Sequence, residues 1–424
     1  MLIYIHVPFC LTRCKYCAFY SLPIGRKQIP AESPAVMSYV DHLLQEVRLW
    51  GQRLGQVAVS SIFWGGGTPS LLPISILGKI LEQLHQCFKI ASQAEITLEV
   101  NPEAIAGPLQ GLEYLKLGFN RLSMGVQSLD ADLLHMLGRR HKAQDSINAL
   151  KSLKEAGWVN VGVDLMWGLP RQSIRQWLYT LKEIVRLEPM HISAYGLTLE
   201  EGTPLAKSCA LGNLHLPPER DQNTMFLDGA AFLQSEGYLH YEISNFARMG
   251  YQCRHNMGYW HGEDYLGLGP SATSTLNNKR WTNPANLKDW EAQVTSGDIG
   301  QDEEELTPLL KVLEMLMLSL RTSRGLELKK YQLMTGHDFL RDHQPMIQAL
   351  HENGLIRLMN GYMRLTTSGM LVSNAILANL FERTKQILPR DLPHVEEKGD
   401  PTQLAEQNKS AAIRKVVWPR IDEL

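Results

Sequence analysis

The chain has 424 residues, more than one compact domain usually holds, so two domains are expected. Its composition is ordinary for a globular protein, 44% hydrophobic and 20% charged, and 42 Lys and Arg against 44 Asp and Glu leave no global field to attract nucleic acid. No uncharged apolar stretch is long enough to span a bilayer, although peripheral contact with a membrane stays open. The apolar start Met1 to Phe9 lacks a basic lead and is broken by Pro8, unlike a signal peptide. Cys87, Cys209 and Cys253 are scattered, which argues against a disulfide framework and for a reducing cytoplasm.

In chain order, the first expected strand is Leu2–Val7. It runs into Cys10, Cys14 and Cys17, a C-x3-C-x2-C spacing. Three thiolates this close on a loop can each bind a different iron of a [4Fe–4S] cube, which normally takes four cysteines, and so leave one iron for a small molecule. The competing expectation is a short helix whose i, i+4, i+7 face buries the cysteines as small hydrophobes, but no amphipathic stretch follows Pro8.

Further strands are expected at Ser61–Trp64, Ile96–Val100, Arg121–Gly125, Val161–Met166 and His191–Leu197. Amphipathic helices lie between them, one carrying Ile147, Leu150 and Leu153 before Gly157, another carrying Trp177, Leu181 and Ile184 after a Ser173 cap. Six β-α units in succession mean a parallel sheet. Curled into a partial (β/α)6 barrel, it places ligand-binding groups at the carboxyl ends of its strands; a doubly wound open sheet is the alternative. The expected barrel covers residues 1–240, with 241–300 joining it to a second domain.

After Pro270 the character changes. Leu309, Leu310, Leu313, Leu316, Met317 and Leu320 describe a helix, Pro345–Asn353 another, and Ile356 to Leu365 a hairpin turning on Asn360-Gly361. A further helix begins near Gly369. Residues 301–383 therefore read as a helical, winged-helix-like domain without a basic recognition helix, a docking or lid domain in preference to a DNA reader. Residues 384–424 are polar and read as a disordered tail.

The polar groups at the strand ends fall into a pattern. Gly66, Gly67 and Thr68 form a loop where a ligand can meet bare backbone. Glu99, Gln127, Arg139 and Asp164 can grip hydroxyl, amide and carboxylate groups. Each alone is more often a turn, a solvated charge or a helix cap.

The cysteine spacing, with Tyr16 between the last two thiols, resembles the radical S-adenosylmethionine enzymes. The resemblance implies a [4Fe–4S] cluster whose open iron chelates the methionine moiety of S-adenosylmethionine and whose electron generates a 5′-deoxyadenosyl radical. It also assigns Tyr4, Tyr16, Gly66, Gly67, Thr68, Glu99, Gln127, Arg139 and Asp164 to cofactor binding, in the order found in the HemN-like subgroup. The match continues through Gly168-Leu-Pro170, Tyr195-Gly-Leu-Thr-Leu-Glu-Glu-Gly-Thr-Pro204 and Gly267-Leu-Gly-Pro-Ser-Ala272.

That subgroup contains oxygen-independent coproporphyrinogen III dehydrogenases and heme chaperones. The dehydrogenases have a further cysteine where this chain has Phe19, and an amino-terminal extension for which the nine residues before Cys10 leave no room. His255-Asn-x-x-Tyr-Trp260 is similar to the chaperones' heme-binding signature. The resemblance implies heme as ligand, acceptor hemoproteins and an electron donor such as a flavodoxin or ferredoxin as partners, His255 as axial ligand with the porphyrin outside the barrel mouth, Tyr259 and Trp260 covering the macrocycle, and Cys253 as an alternative thiolate. A histidine near aromatics is, on its own, more often structural. Thr273 stands where many relatives have histidine. Radical modification of RNA, a third activity, lacks a basic surface signal.

Overall fold

The computed structural model describes residues 1–25 and 33–389. They fall into two compact units, the first comprising Met1–Leu306 with Arg321–Ser323, the second Thr307–Leu320 and the chain from Arg324 on.

The first unit is built on β1 (Leu2–Val7), β2 (Ala58–Gly66), β3 (Lys89–Val100), β4 (Arg121–Gln127), β5 (Val161–Trp167) and β6 (His191–Gly196). Each pairs in parallel with the next, so spatial order follows chain order. A doubly wound sheet must reverse that order at a switch point. Winding in one direction puts every crossover helix on the same face, as in a barrel.

Alternation along each strand then decides what faces where. Ile3, Ile5, Val7, Ile62, Trp64 and Leu98 pack outward under the helices in one continuous core. Their neighbours Tyr4, His6, Phe63, Thr97, Glu99, Ser123 and Asp164 face the interior. The helix Pro34–Leu54 begins on its proline, and helix Ile174–Val185 on the expected Ser173 cap, with Ser173 and Gln176 bonded in both directions. Trp177 on that helix is almost fully buried, worth about 1.5–3 kcal/mol for such a side chain.

The 241–300 segment is not a junction. Strand Tyr265–Leu268 lies parallel to β1 on its free side, and Thr273–Leu276, Lys279–Thr282 and Glu304–Glu305 extend the sheet from there. Leu239–Glu242 and Asn245–Ala247 extend the opposite edge beside β6, giving twelve strands.

In the second unit, helix Pro308–Leu320 is followed by a three-stranded antiparallel sheet of Leu326–Glu327, Ile356–Met359 and Tyr362–Leu365. The hairpin turns on Asn360 and Gly361, both left-handed at φ 53° and 79°, the type I′ geometry that Asn-Gly favours. The last helix, Ser373–Ile387, runs past the expected tail boundary at 384. Its buried face of Ile376, Leu377, Leu380 and Thr384 ends in a threonine that a tally of apolar residues misses. The rest of the expected tail, from residue 390, lies outside the described residues.

Candidate functional site

At the end of β1, Phe9–Cys10 pairs with Leu22–Pro23 and closes the cysteine loop at its base. The loop is stitched to its surroundings by Lys15 N donating to Leu137 O at 3.0 Å and Leu205 N donating to Lys15 O at 2.9 Å. Cys10, Cys14 and Cys17 are free and partly exposed on it, not on a helix. Burial pushes the Cys10 and Cys17 thiols up. Among the described residues no group of three or more His, Cys, Asp or Glu is suited to hold a single metal ion. A cube makes a different demand, one thiolate per iron.

The Gly65–Thr68 loop is pressed against the base of the cysteine loop. Gly67 N donates to Val7 O, and Thr68 N to Phe9 O, each at 2.7 Å. A Cβ at Gly67 would lie 2.5 Å from Phe9 O and 2.7 Å from Val7 O. Gly66, at φ 99°, lies over the His6 ring, where a Cβ would come within 2.6 Å. The protein's own backbone thus uses the bare glycines that the sequence reading reserved for a ligand.

A chain of hydrogen bonds links the first two cysteines through both loops. Thr68 Oγ1 donates to Cys10 Sγ at 3.7 Å and accepts from Asn101 Nδ2 at 3.2 Å. Arg139 Nη2 donates to Asn101 Oδ1 at 2.6 Å and to Gly125 O at 2.7 Å, while its Nη1 reaches Cys14 Sγ at 3.5 Å. Arg139 Nε is buried and unpartnered, a donor left over for a ligand. Gln127 follows a bulge in β4 and sits at φ 65°, a strained conformation that folds its amide back over Gly125.

Glu99 is pushed up to about 8, chiefly by burial and then by Asp164. Asp164 is also raised by burial, against the opposing hydrogen bonds from Ser193 and Ser123. Tyr4 contacts His6 Nδ1 through its hydroxyl at 3.3 Å, and Tyr16 packs against a small cluster of Leu137, Met166 and Leu205. The structure therefore brings Tyr16, Gly66, Gly67, Thr68 and Arg139 around the cysteine loop, sets Gln127 beside Arg139 over Gly125, and places Tyr4, Glu99 and Asp164 in the barrel interior on β1, β3 and β5. The sequence reading missed Asn101 and His6; their signals were the Glu-x-Asn and Tyr-x-His alternations that point both residues inward.

The His255 motif lies elsewhere. It forms the helix Arg254–His261, packed against the amino-terminal ends of the strands. Glu95 on β3 accepts from Cys253 Sγ at 3.4 Å and from the Arg254 and His255 amides at 3.1 Å, capping the helix. The His255 ring is 1% exposed, with Nδ1 2.8 Å from Ser61 Oγ and Nε2 3.2 Å from Tyr259 Oη, and burial pushes its pKa down to about 3. Cys253 is fully buried and its thiol pushed up to about 12. The Trp260 side chain hydrogen-bonds to Glu242. Cys253 and His255 present no open face to a porphyrin, whereas Tyr259 and Trp260 are half-buried, and His255 lies at the opposite end of the strands from the expected position at the barrel mouth. Thr273 pairs its hydroxyl with that of Thr282 at 2.9 Å.

A family model described as the radical SAM superfamily matches residues 4–184, and one described as the HemN C-terminal domain matches residues 306–372. The heme chaperone HemW of Synechocystis sp. is 38% identical over 76% of this chain and 78% of its own length. The heme chaperone HemW of Bacillus subtilis is 32% identical over 88% of this chain and 97% of its own. Among solved structures, coproporphyrinogen III oxidase (HemN) from Escherichia coli is similar with a TM-score of 0.75 at 24% identity, over 91% of this chain and 90% of that one. The fold is accordingly α/β, a radical-SAM-type partial (β/α)6 barrel with a smaller carboxyl-terminal domain.

Proposed function

The chain belongs to the HemW family of the radical S-adenosylmethionine superfamily, and from that premise we propose that it is a heme chaperone carrying a [4Fe–4S] cluster and S-adenosylmethionine, delivering heme to acceptor hemoproteins. Cys10, Cys14 and Cys17 would hold three irons. A cluster held there would supply a low-potential electron to the sulfonium, with a flavodoxin or ferredoxin as the donor. Arg139 and the Gly66–Thr68 loop orient the methionine end, and Tyr4, Glu99, Gln127 and Asp164 line the nucleoside side. Tyr16 buttresses the loop.

The observation that carries this reading is the hydrogen-bonded path Cys10, Thr68, Asn101, Arg139, Cys14, which ties the cysteine loop to the S-adenosylmethionine candidates. We place the protein in the cytoplasm on its scattered cysteines, which fit a reducing compartment. Among the described residues no helix is long and apolar enough to cross a membrane. No nucleic-acid partner is proposed.

The second reading is coproporphyrinogen III dehydrogenation. Against it stands Phe19, 68% exposed where the dehydrogenases have a further cysteine. Anaerobic reconstitution followed by heme titration and a coproporphyrinogen turnover assay separates the two. Stoichiometric heme uptake without turnover is expected; rapid formation of protoporphyrinogen would replace the chaperone with the enzyme.

A further inference from the structure

A series of ring contacts runs through the barrel interior from the Arg254–His261 helix to the cysteine loop. Tyr265 meets Tyr259 at 4.7 Å between centroids, Tyr259 meets His255 at 4.8 Å, and His255 stacks on Phe63 at 5.2 Å. Phe63 stacks on Tyr4 at 6.3 Å, Tyr4 meets His6 at 6.1 Å, and His6 meets Tyr20, three residues beyond Cys17, at 6.3 Å. His6 Nε2 is also 2.9 Å from Tyr20 O. The two ends of this column are the two features that made the sequence informative.

We infer that the Arg254–His261 helix is the floor of the barrel interior and that His255 is a positioning residue for Tyr4, not the axial ligand of heme iron. The inference rests on the proposed S-adenosylmethionine site, and it moves the heme ligand to another part of the chain.

Three observations support it. An axial ligand needs a free imidazole nitrogen facing an open plane, and both nitrogens of His255 are engaged inside the protein. The helix is fitted as a floor: a Cβ at Gly258 would lie 2.5 Å from Leu2 Cδ1, at the first residue of β1, and Glu95 holds the helix start from inside the barrel. Without its ring, His255 would leave a void beneath Phe63, whose other face supports Tyr4. A void of that kind lets the surrounding side chains settle into it. Tyr4, whose hydroxyl is raised first by burial and then by the nearby Glu99, would then lose its fixed place beside that carboxyl.

The test uses two variants of the full chain. His255→Ala removes the ring. His255→Phe combined with Ser61→Ala keeps the ring, cannot ligate iron and removes the hydroxyl left without its partner. S-adenosylmethionine affinity is measured by calorimetry on cluster-loaded protein, and heme binding by Soret difference spectra. For His255→Ala, affinity for S-adenosylmethionine falls on the order of 10-fold, as for loss of a group that orients a ligand-contacting residue. The phenylalanine variant recovers most of it, and both variants keep the wild-type Soret position and heme affinity. A shifted Soret band in the phenylalanine variant, or unchanged S-adenosylmethionine affinity in the alanine variant, overturns the inference. Failure of the wild-type protein to take up heme would reject the chaperone reading while leaving the S-adenosylmethionine arm to decide the role of His255.

Discussion

Arg139 and Cys14 are 125 residues apart in the sequence, yet Arg139 Nη1 donates to Cys14 Sγ at 3.5 Å. The same guanidinium holds Asn101 and the Gly125 carbonyl, so one side chain joins the cysteine loop to β3 and β4. Arg139→Gln should therefore act on folding and binding together. Each buried acceptor left unmade costs about 1–3 kcal/mol, and loss of a charge-assisted contact weakens a ligand by roughly 10- to 100-fold. A lower melting temperature and weaker S-adenosylmethionine binding by calorimetry are expected. Arg139→Lys should not rescue either, because one ammonium cannot span three acceptors in the guanidinium's geometry. Wild-type affinity in Arg139→Gln would remove the residue from the site.

Replacing Cys10, Cys14 or Cys17 by Ala should abolish bound iron and the broad visible absorption after anaerobic reconstitution. Cys87→Ala and Cys209→Ala should retain both, since those residues lie on the helices Ile74–Cys87 and Pro204–Ala210 and not on the cysteine loop itself. Iron analysis decides it; a full complement in any of the first three rejects the ligand assignment.

Gly67→Val should impair cluster assembly as well as S-adenosylmethionine binding. A loop that served only to let a ligand meet bare backbone would confine the effect to the ligand. The clash a Cβ would make with Phe9 O falls one residue before Cys10, so the loop must move to relieve it. Iron content of the reconstituted variant measures the effect, and normal iron with weakened ligand binding would restore the simpler view.

Glu99 sets a pH dependence with a definite sign. Its pKa rises from 4.5 to about 8 on folding, so between these values the folded protein keeps a proton that the unfolded chain has released. Its contribution to stability is therefore lost progressively as pH rises through that window. Glu99→Gln removes the effect. The melting temperature of the variant relative to wild type should climb from about pH 5 to about pH 8.5; the raised carboxyls Glu46 and Glu242, whose shifts do not involve Glu99, cancel in the comparison, whereas Asp164, which helps raise Glu99, does not. A difference that is flat or declines with pH would show that Glu99 is not held in its protonated form.

Much of the barrel was legible because parallel strands buried on both faces are nearly continuous apolar runs. Leu2–Val7 is one, and it forms as read. The edge strand Leu239–Glu242 and the outlying strand Lys279–Thr282 were not legible: each is four residues long and carries charge, so neither alternation nor an apolar run marks it. The amino-terminal part of β3, Lys89–Gln93, reads as loop for the same reason, and with it went Glu95, whose role depends on a helix some 160 residues later. The His255 motif was legible as a pattern but not as a location. Its residue types suit a heme surface and a packed floor equally, and only the partners of the two imidazole nitrogens separate them.

Because Leu2 pairs with Tyr265, the free side of β1 stays bare until the chain that far downstream has been made. At about 5–20 residues per second that is an interval of roughly tens of seconds. During it, Leu2–Val7 offers an unpaired and largely apolar strand edge in the nascent chain, a template for wrong pairing. The late closure of this edge makes synthesis the vulnerable stage of folding, and lower recovery of soluble protein at faster synthesis or higher temperature is the expected symptom.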